Sequence, residues 1–68
     1  MTEPAYKKIE IVGTSTKSFY EAAANAVAKA GETTPNMCWF EVIEERGSIV
    51  NGKIDQFQVT LRVGARIA

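Results

Sequence analysis

The residue in this chain with the most chemistry to offer is its single tryptophan, Trp39, which stands beside its single cysteine, Cys38. Histidine is absent. Cys38 therefore has no imidazole to activate it and reads as a half-buried structural thiol rather than a nucleophile. A lone cysteine makes neither an internal disulfide nor a structural zinc site. The carboxylates of Glu10, Glu21, Glu41, Glu44 and Glu45 fall where solvent-facing and ion-paired groups fall. No two of them are set apart for split acid and base roles. The sequence contains no G-x-G-x-x-G and no P-loop. Lys7 and Lys8 beside Tyr6 read as a solvated strand edge, where lysines deter edge pairing. Glu44-Glu45-Arg46 reads as a charge cluster meeting water. These patterns favour a binding protein over an enzyme, and Trp39 is the side chain suited to stacking on a flat ring.

The frame that must hold Trp39 is small. The 68 residues read as one domain, 1–68, with no repeat, linker or low-complexity segment. A chain of this size buries only roughly 60% of its unfolded surface, so it is marginal alone. Small scaffolds rely on disulfides, a metal or partner subunits, and here partner subunits are what remain. Eight basic and eight acidic residues cancel, which argues against bulk electrostatic binding to nucleic acid or to an anionic membrane. No apolar run approaches the roughly 20 residues of a membrane span. The opening Met1-Thr2-Glu3-Pro4 has no signal-peptide pattern, and with a free thiol this points to the cytoplasm.

Ala5 to Val12 alternate in part and are rich in Ile, Val and Tyr, which predicts a first strand, with Gly13-Thr14-Ser15-Thr16 as the turn out of it. Ser18 to Glu21 fits a capping box at the start of a helix. Phe19, Ala23, Ala26, Val27 and Ala30 follow at helical spacing, and Gly31 is expected as a left-handed C-cap. The buried stripe is mostly alanine, which lets the helix lie close to a sheet but contributes little apolar area. Glu32 to Met37 form a polar connection in which Pro35 stops the helix. Cys38 to Arg46 read as a second strand. Asn51-Gly52 is a type I′ hairpin signal, and Lys53 to Ile67 read as a third strand. Gly47 and Gly64 are candidate bulges or bends.

Pairing the last two strands about Asn51-Gly52 without a bulge sets Trp39 against Gly64, Glu41 against Arg62, Ile43 against Thr60 and Glu45 against Gln58. All of these share one sheet face. The opposite face carries Phe40, Val42, Phe57, Val59, Leu61 and Val63, the core that the helix is expected to cover. Trp39 then points away from the core onto a polar face. Two readings stay open from periodicity: burial in a contact between subunits, or stacking of a flat ligand.

Tyr6 to Ser15 resembles the opening of the dodecin family, VYKxIEIVGTS. Trp39-Phe40-Glu41-Val42, Arg46-Gly47, Asn51-Gly52-Lys53 and Gln58-Val59-Thr60-Leu61 are similar to its WFEV…RG…DGK…YQVTL. Val63-Gly64 and Arg66 are similar to its VGFRL ending. The resemblance runs without gaps from about Tyr6 to Ile67, and the order and spacing of the motifs carry it.

The resemblance implies an α+β fold of order β-α-β-β, with a curved three-stranded antiparallel sheet wrapped partly around one helix. It implies a hollow homododecamer that binds flavin: FMN in bacterial relatives, riboflavin or lumichrome in archaeal ones. Trp39 matches the tryptophan that stacks on paired flavins at a two-fold axis. Gln58 matches the glutamine at the polar edge of the isoalloxazine, and Arg46 an arginine near the phosphate-bearing tail. Cys38 stands where relatives often have Asp or Arg, and an Asp there helps hold the ribityl chain. Coenzyme A, held by some relatives, would fall near Tyr6, Lys29, Thr33, Thr34 and Arg66. Ala65 replaces the phenylalanine of VGFRL, which by this resemblance removes an apolar group from a subunit contact. Pro35 replaces a longer residue. An indole stacked on a flavin is a good electron donor to the excited ring, so storage with suppressed photochemistry is the implied function. A flavin-free structural oligomer is the alternative.

Overall fold

The computed structural model describes residues 3–67; Met1, Thr2 and Ala68, part of the expected domain, lie outside the described residues. The elements are β1 (Ala5–Ser15), α1 (Phe19–Gly31), β2 (Met37–Val50) and β3 (Lys53–Ile67). The three strands form one antiparallel sheet in the order β1-β3-β2. This is the expected β-α-β-β fold.

β1 runs three residues further than the alternation suggested. Gly13, Thr14 and Ser15 pair with Val59, Gln58 and Phe57, and the turn is left to the residues after Ser15. The Ser15 hydroxyl accepts from the Lys17 and Ser18 amides at 2.9 and 3.4 Å, and Ser18 Oγ then caps α1 by accepting from Glu21 N at 3.0 Å. Gly13 is required by close approach: a Cβ there would meet the Ala22 carbonyl and the Ala26 methyl. The alanine stripe therefore rides directly on β1.

The far end of α1 differs from expectation. Gly31 is the last helical residue, and the cap is Glu32 in a right-handed conformation with φ −68°. The left-handed residue is Asn36, at φ 63°, just before β2. Asn51 and Gly52, at φ 54° and 77°, make the hairpin turn as read from sequence.

The β2–β3 register follows the expected pairing from Trp39–Gly64 to Val42–Leu61, and again next to the turn at Ile49–Ile54 and Val50–Lys53. An extra residue at Ile43 then shifts β2 by one, so that Glu44 pairs with Thr60, Glu45 with Val59 and Arg46 with Gln58. The expected Ile43–Thr60 and Glu45–Gln58 pairs are thereby replaced. A second irregularity, after Ser48, restores the original count. Gly47 pairs normally with Phe57 and is not the bulge. Bulges of this kind bend a strand and increase its twist.

Ala22, Ala26, Val59, Leu61, Val63 and Ala65 form the core, with Ile11, Phe19, Ala23 and Val27 packed around it. Phe19 and Phe57 meet edge to face at 5.0 Å. The helix covers β1 and β3. Phe40 and Val42 lie on the expected inner face but remain 52% and 49% exposed. Ala65 is fully buried within the chain; with Lys7 and Met37 as its strand partners, it is a core residue of its own subunit rather than a surface contact. The molecule is 57 Å long, while a 13-residue helix spans only about 20 Å. The β2–β3 hairpin projects beyond α1 as an arm that carries exposed Ile49, Val50 and Ile54.

Candidate functional site

The sheet face turned away from α1 is formed by alternate residues of all three strands. β1 contributes Tyr6, Lys8, Glu10, Val12 and Thr14; β3 contributes Gln58, Thr60, Arg62, Gly64 and Arg66. β2 adds Trp39, Glu41, Glu44 and Arg46. Half of these residues are charged. Arg62 Nε donates to Glu10 Oε1 at 3.1 Å, and Lys8 Nζ meets Glu41 Oε1 at 2.7 Å. These pairs are about half exposed, so they order side chains without adding much stability.

Trp39 interrupts this polar face. Its six-membered ring lies over Gly64, in the space that a side chain at position 64 would fill. The indole reaches from β2 across β3, and Tyr6 of β1 meets it edge-on at 5.0 Å with an interplanar angle of 62°. Trp39 is still 38% exposed. An aromatic surface seated on the backbone and open to solvent is a stacking platform, and the cradle at Gly64 makes it fit a flat ring ligand.

Gln58 and Arg46 lie at the other end of the same face. Because of the bulge at Ile43 they are cross-strand partners, and Arg46 Nε donates to Gln58 Oε1 at 2.9 Å. Arginine has donors only, so this bond fixes the carboxamide oxygen toward Arg46 and leaves the amide N–H groups free. Arg46 also approaches Glu44 at 4.0 Å. Gln58 is six residues along β3 from Gly64, about 20 Å at strand spacing. One flat ligand cannot stack on Trp39 and meet Gln58 of the same chain. A site that uses both residues draws them from two copies.

Cys38 is exposed, not half-buried: it falls at a register shift between Met37 and Trp39, and its thiol turns back to the Asn36 carbonyl at 3.3 Å. The residues expected around coenzyme A converge only in part. Tyr6 pairs with Arg66, and the Arg66 amide donates to the Asn36 carbonyl at 3.0 Å, which ties that strand end to the loop carrying Thr33 and Thr34. Lys29 lies in the last turn of α1, 3.8 Å from Glu32, beside a recess lined by Val12, Gly13, Thr14 and Asn25. Tyr6 is engaged with Trp39, a contact the sequence did not disclose because the β1 register could not be read from it. Gly64, by contrast, was legible as the partner of Trp39. Among the described residues, no group of three or more His, Cys, Asp or Glu is placed to hold a metal ion, and no helix is long and apolar enough to cross a membrane.

Comparison with known proteins shows the same fold in one family. The family model described as Dodecin matches residues 5–68. The dodecin of Thermus thermophilus is 44% identical over 62 residues, which cover 91% of this chain and 90% of that protein. The solved structure of the dodecin from Streptomyces davaonensis superposes with a TM-score of 0.94 at 39% identity, covering 98% of each chain. That of the dodecin from Streptomyces coelicolor gives 0.94 at 38% identity, covering 100% of this chain and 97% of the other.

Proposed function

The chain belongs to the dodecin family, and from that premise we propose that it binds and sequesters flavin, FMN or riboflavin, in a hollow homododecamer. The observation that carries the reading is the placement of Trp39: a solvent-open indole laid over a glycine on a largely polar face. A ring stacked there gains the apolar contact of the indole face. Trp39 supplies the platform. Gln58 of another copy supplies amide N–H groups to carbonyl oxygens at the edge of the ring, its orientation fixed by Arg46. Arg46, with side-chain exposure of 65%, also offers positive charge to a phosphate-bearing tail.

Bound flavin would supply an excited state that accepts an electron, and the stacked indole of Trp39 would donate that electron and take it back, so that both rings return to their ground state with no net redox change. The chain's own groups then hold the ligand and need transfer no proton. The absence of histidine supports a binder rather than an enzyme. The exposed inner-face residues Phe40 and Val42 support assembly of many copies, because a single chain leaves them uncovered.

Native mass spectrometry together with mass spectrometry of ligand released by denaturation tests the reading. The expected result is twelve copies and a flavin in freshly purified, yellow protein. A colourless oligomer that takes up neither FMN nor riboflavin at saturating concentration would leave the flavin-free scaffold instead.

A further inference from the structure

We propose that Gly64 and Tyr6 are the positioning residues of Trp39, and that together they set the plane and reach of its stacking face; this deepens the flavin-binding reading and rests on it. Side chains on a strand ordinarily stand up from the sheet. The Trp39 indole instead reaches across β3, with its six-membered ring over Gly64 and Tyr6 of β1 against it at 5.0 Å. Gly64 is not a left-handed residue; among the described glycines only Gly52 has positive φ. Backbone conformation therefore does not demand glycine at 64. The contact demands it, because any Cβ would occupy the volume held by the indole ring.

Tyr6 closes the far end of the platform. Its edge-to-face contact, at 62°, limits the swing of the indole, and Trp39 remains 38% exposed. Lys8, the β1 partner of Gly64, is ion-paired with Glu41 beside the ring. Trp39 is thus confined by residues of all three strands, and the ordering cost of the platform is met before a ligand arrives.

Trp39 is the only tryptophan, so emission excited selectively at the indole, beyond the absorption of Tyr6 and Tyr20, reports on this ring alone. In ligand-free protein, Gly64→Ala should shift its emission to the red and increase its quenching by acrylamide. Tyr6→Ala should do the same to a smaller extent, and Tyr6→Phe, which keeps the ring edge, should leave both unchanged. With riboflavin as the probe, Gly64→Ala should weaken binding about tenfold, the scale of a lost stacking contact. In a Trp39→Ala background the same change should alter residual binding by less than about twofold, since its effect runs through the indole. If Gly64→Ala fails to assemble, Tyr6→Ala carries the same two-background comparison. Unchanged Trp39 emission in Gly64→Ala and Tyr6→Ala, or equal losses of binding with and without Trp39, would overturn the proposal. If the parent binds no flavin, the functional reading fails, and the emission measurements alone decide whether Gly64 and Tyr6 position the ring.

Discussion

On the β1–β3 side of the sheet, Val59, Leu61, Val63 and Ala65 are at most 2% exposed beneath α1, whereas on β2 and the hairpin arm Phe40, Val42, Ile43, Ile49, Val50 and Ile54 are between 44% and 73% exposed. Both regions belong to one sheet and have similar side chains. The difference is the reach of a helix whose buried face is largely alanine: it seats tightly on Gly13 and covers two strands. One region is completed by the chain itself, and the other is left for copies of the chain to cover. Trp39 sits on the uncovered strand, so the candidate site and the incomplete core share β2.

The sharpest way to break this contrast is a charge on the uncovered inner face. Phe40→Asp would place an unpaired carboxylate in each buried contact, at a cost of several kcal/mol per site. Analytical ultracentrifugation should then show loss of the large assembly. An intact assembly would mean that this face of β2 is not an interface. Next in size is Trp39→Ala. It removes about 0.5–1.5 kcal/mol of stacking and a few kcal/mol of ring burial at roughly 25 cal/mol per Å². Flavin affinity measured by equilibrium dialysis should fall by orders of magnitude while the assembly persists.

Ala65→Phe probes the covered region. Ala65 is fully buried in its own chain, so a phenyl ring there is expected to overpack the core at about 1–3 kcal/mol and to lower the midpoint of denaturant unfolding. A raised midpoint would restore the subunit-contact expectation. The smallest effect is expected from Gln58→Ala, which loses a hydrogen bond worth about 0.5–1.5 kcal/mol. Affinity should drop modestly, and discrimination between flavins and other flat heterocycles should blunt. Unchanged selectivity would remove Gln58 from the site.

Much of this was legible in the sequence because local chemistry dictated it. Asn51-Gly52 demanded positive φ at both residues and so fixed the hairpin and its centre; the Trp39–Gly64 pair matches the bulge-free count because the two register shifts between it and the turn cancel. The bulge at Ile43 was invisible, because an inserted residue leaves the residue types on either side unremarkable; Arg46 was therefore not foreseen opposite Gln58. Gly13-Thr14-Ser15 looked like a turn by composition, but pairing with β3 overrode that preference. Alternation correctly gave Phe40 and Val42 to the inner face. It could not show how far the helix extends over that face, since cover is a property of the packed chain and its copies. The Tyr6–Trp39 contact was not legible for a similar reason: it spans all three strands.

The central claim, that Trp39 both holds the flavin and darkens it, is tested most directly by the fluorescence of bound flavin in the parent and in Trp39→Phe, with the bound fraction fixed by dialysis. Phenylalanine keeps a stacking face but is a far poorer electron donor than indole. The account predicts dark bound flavin in the parent, and weaker binding with recovered fluorescence in Trp39→Phe. Flavin that binds Trp39→Phe and stays as dark as in the parent would contradict it.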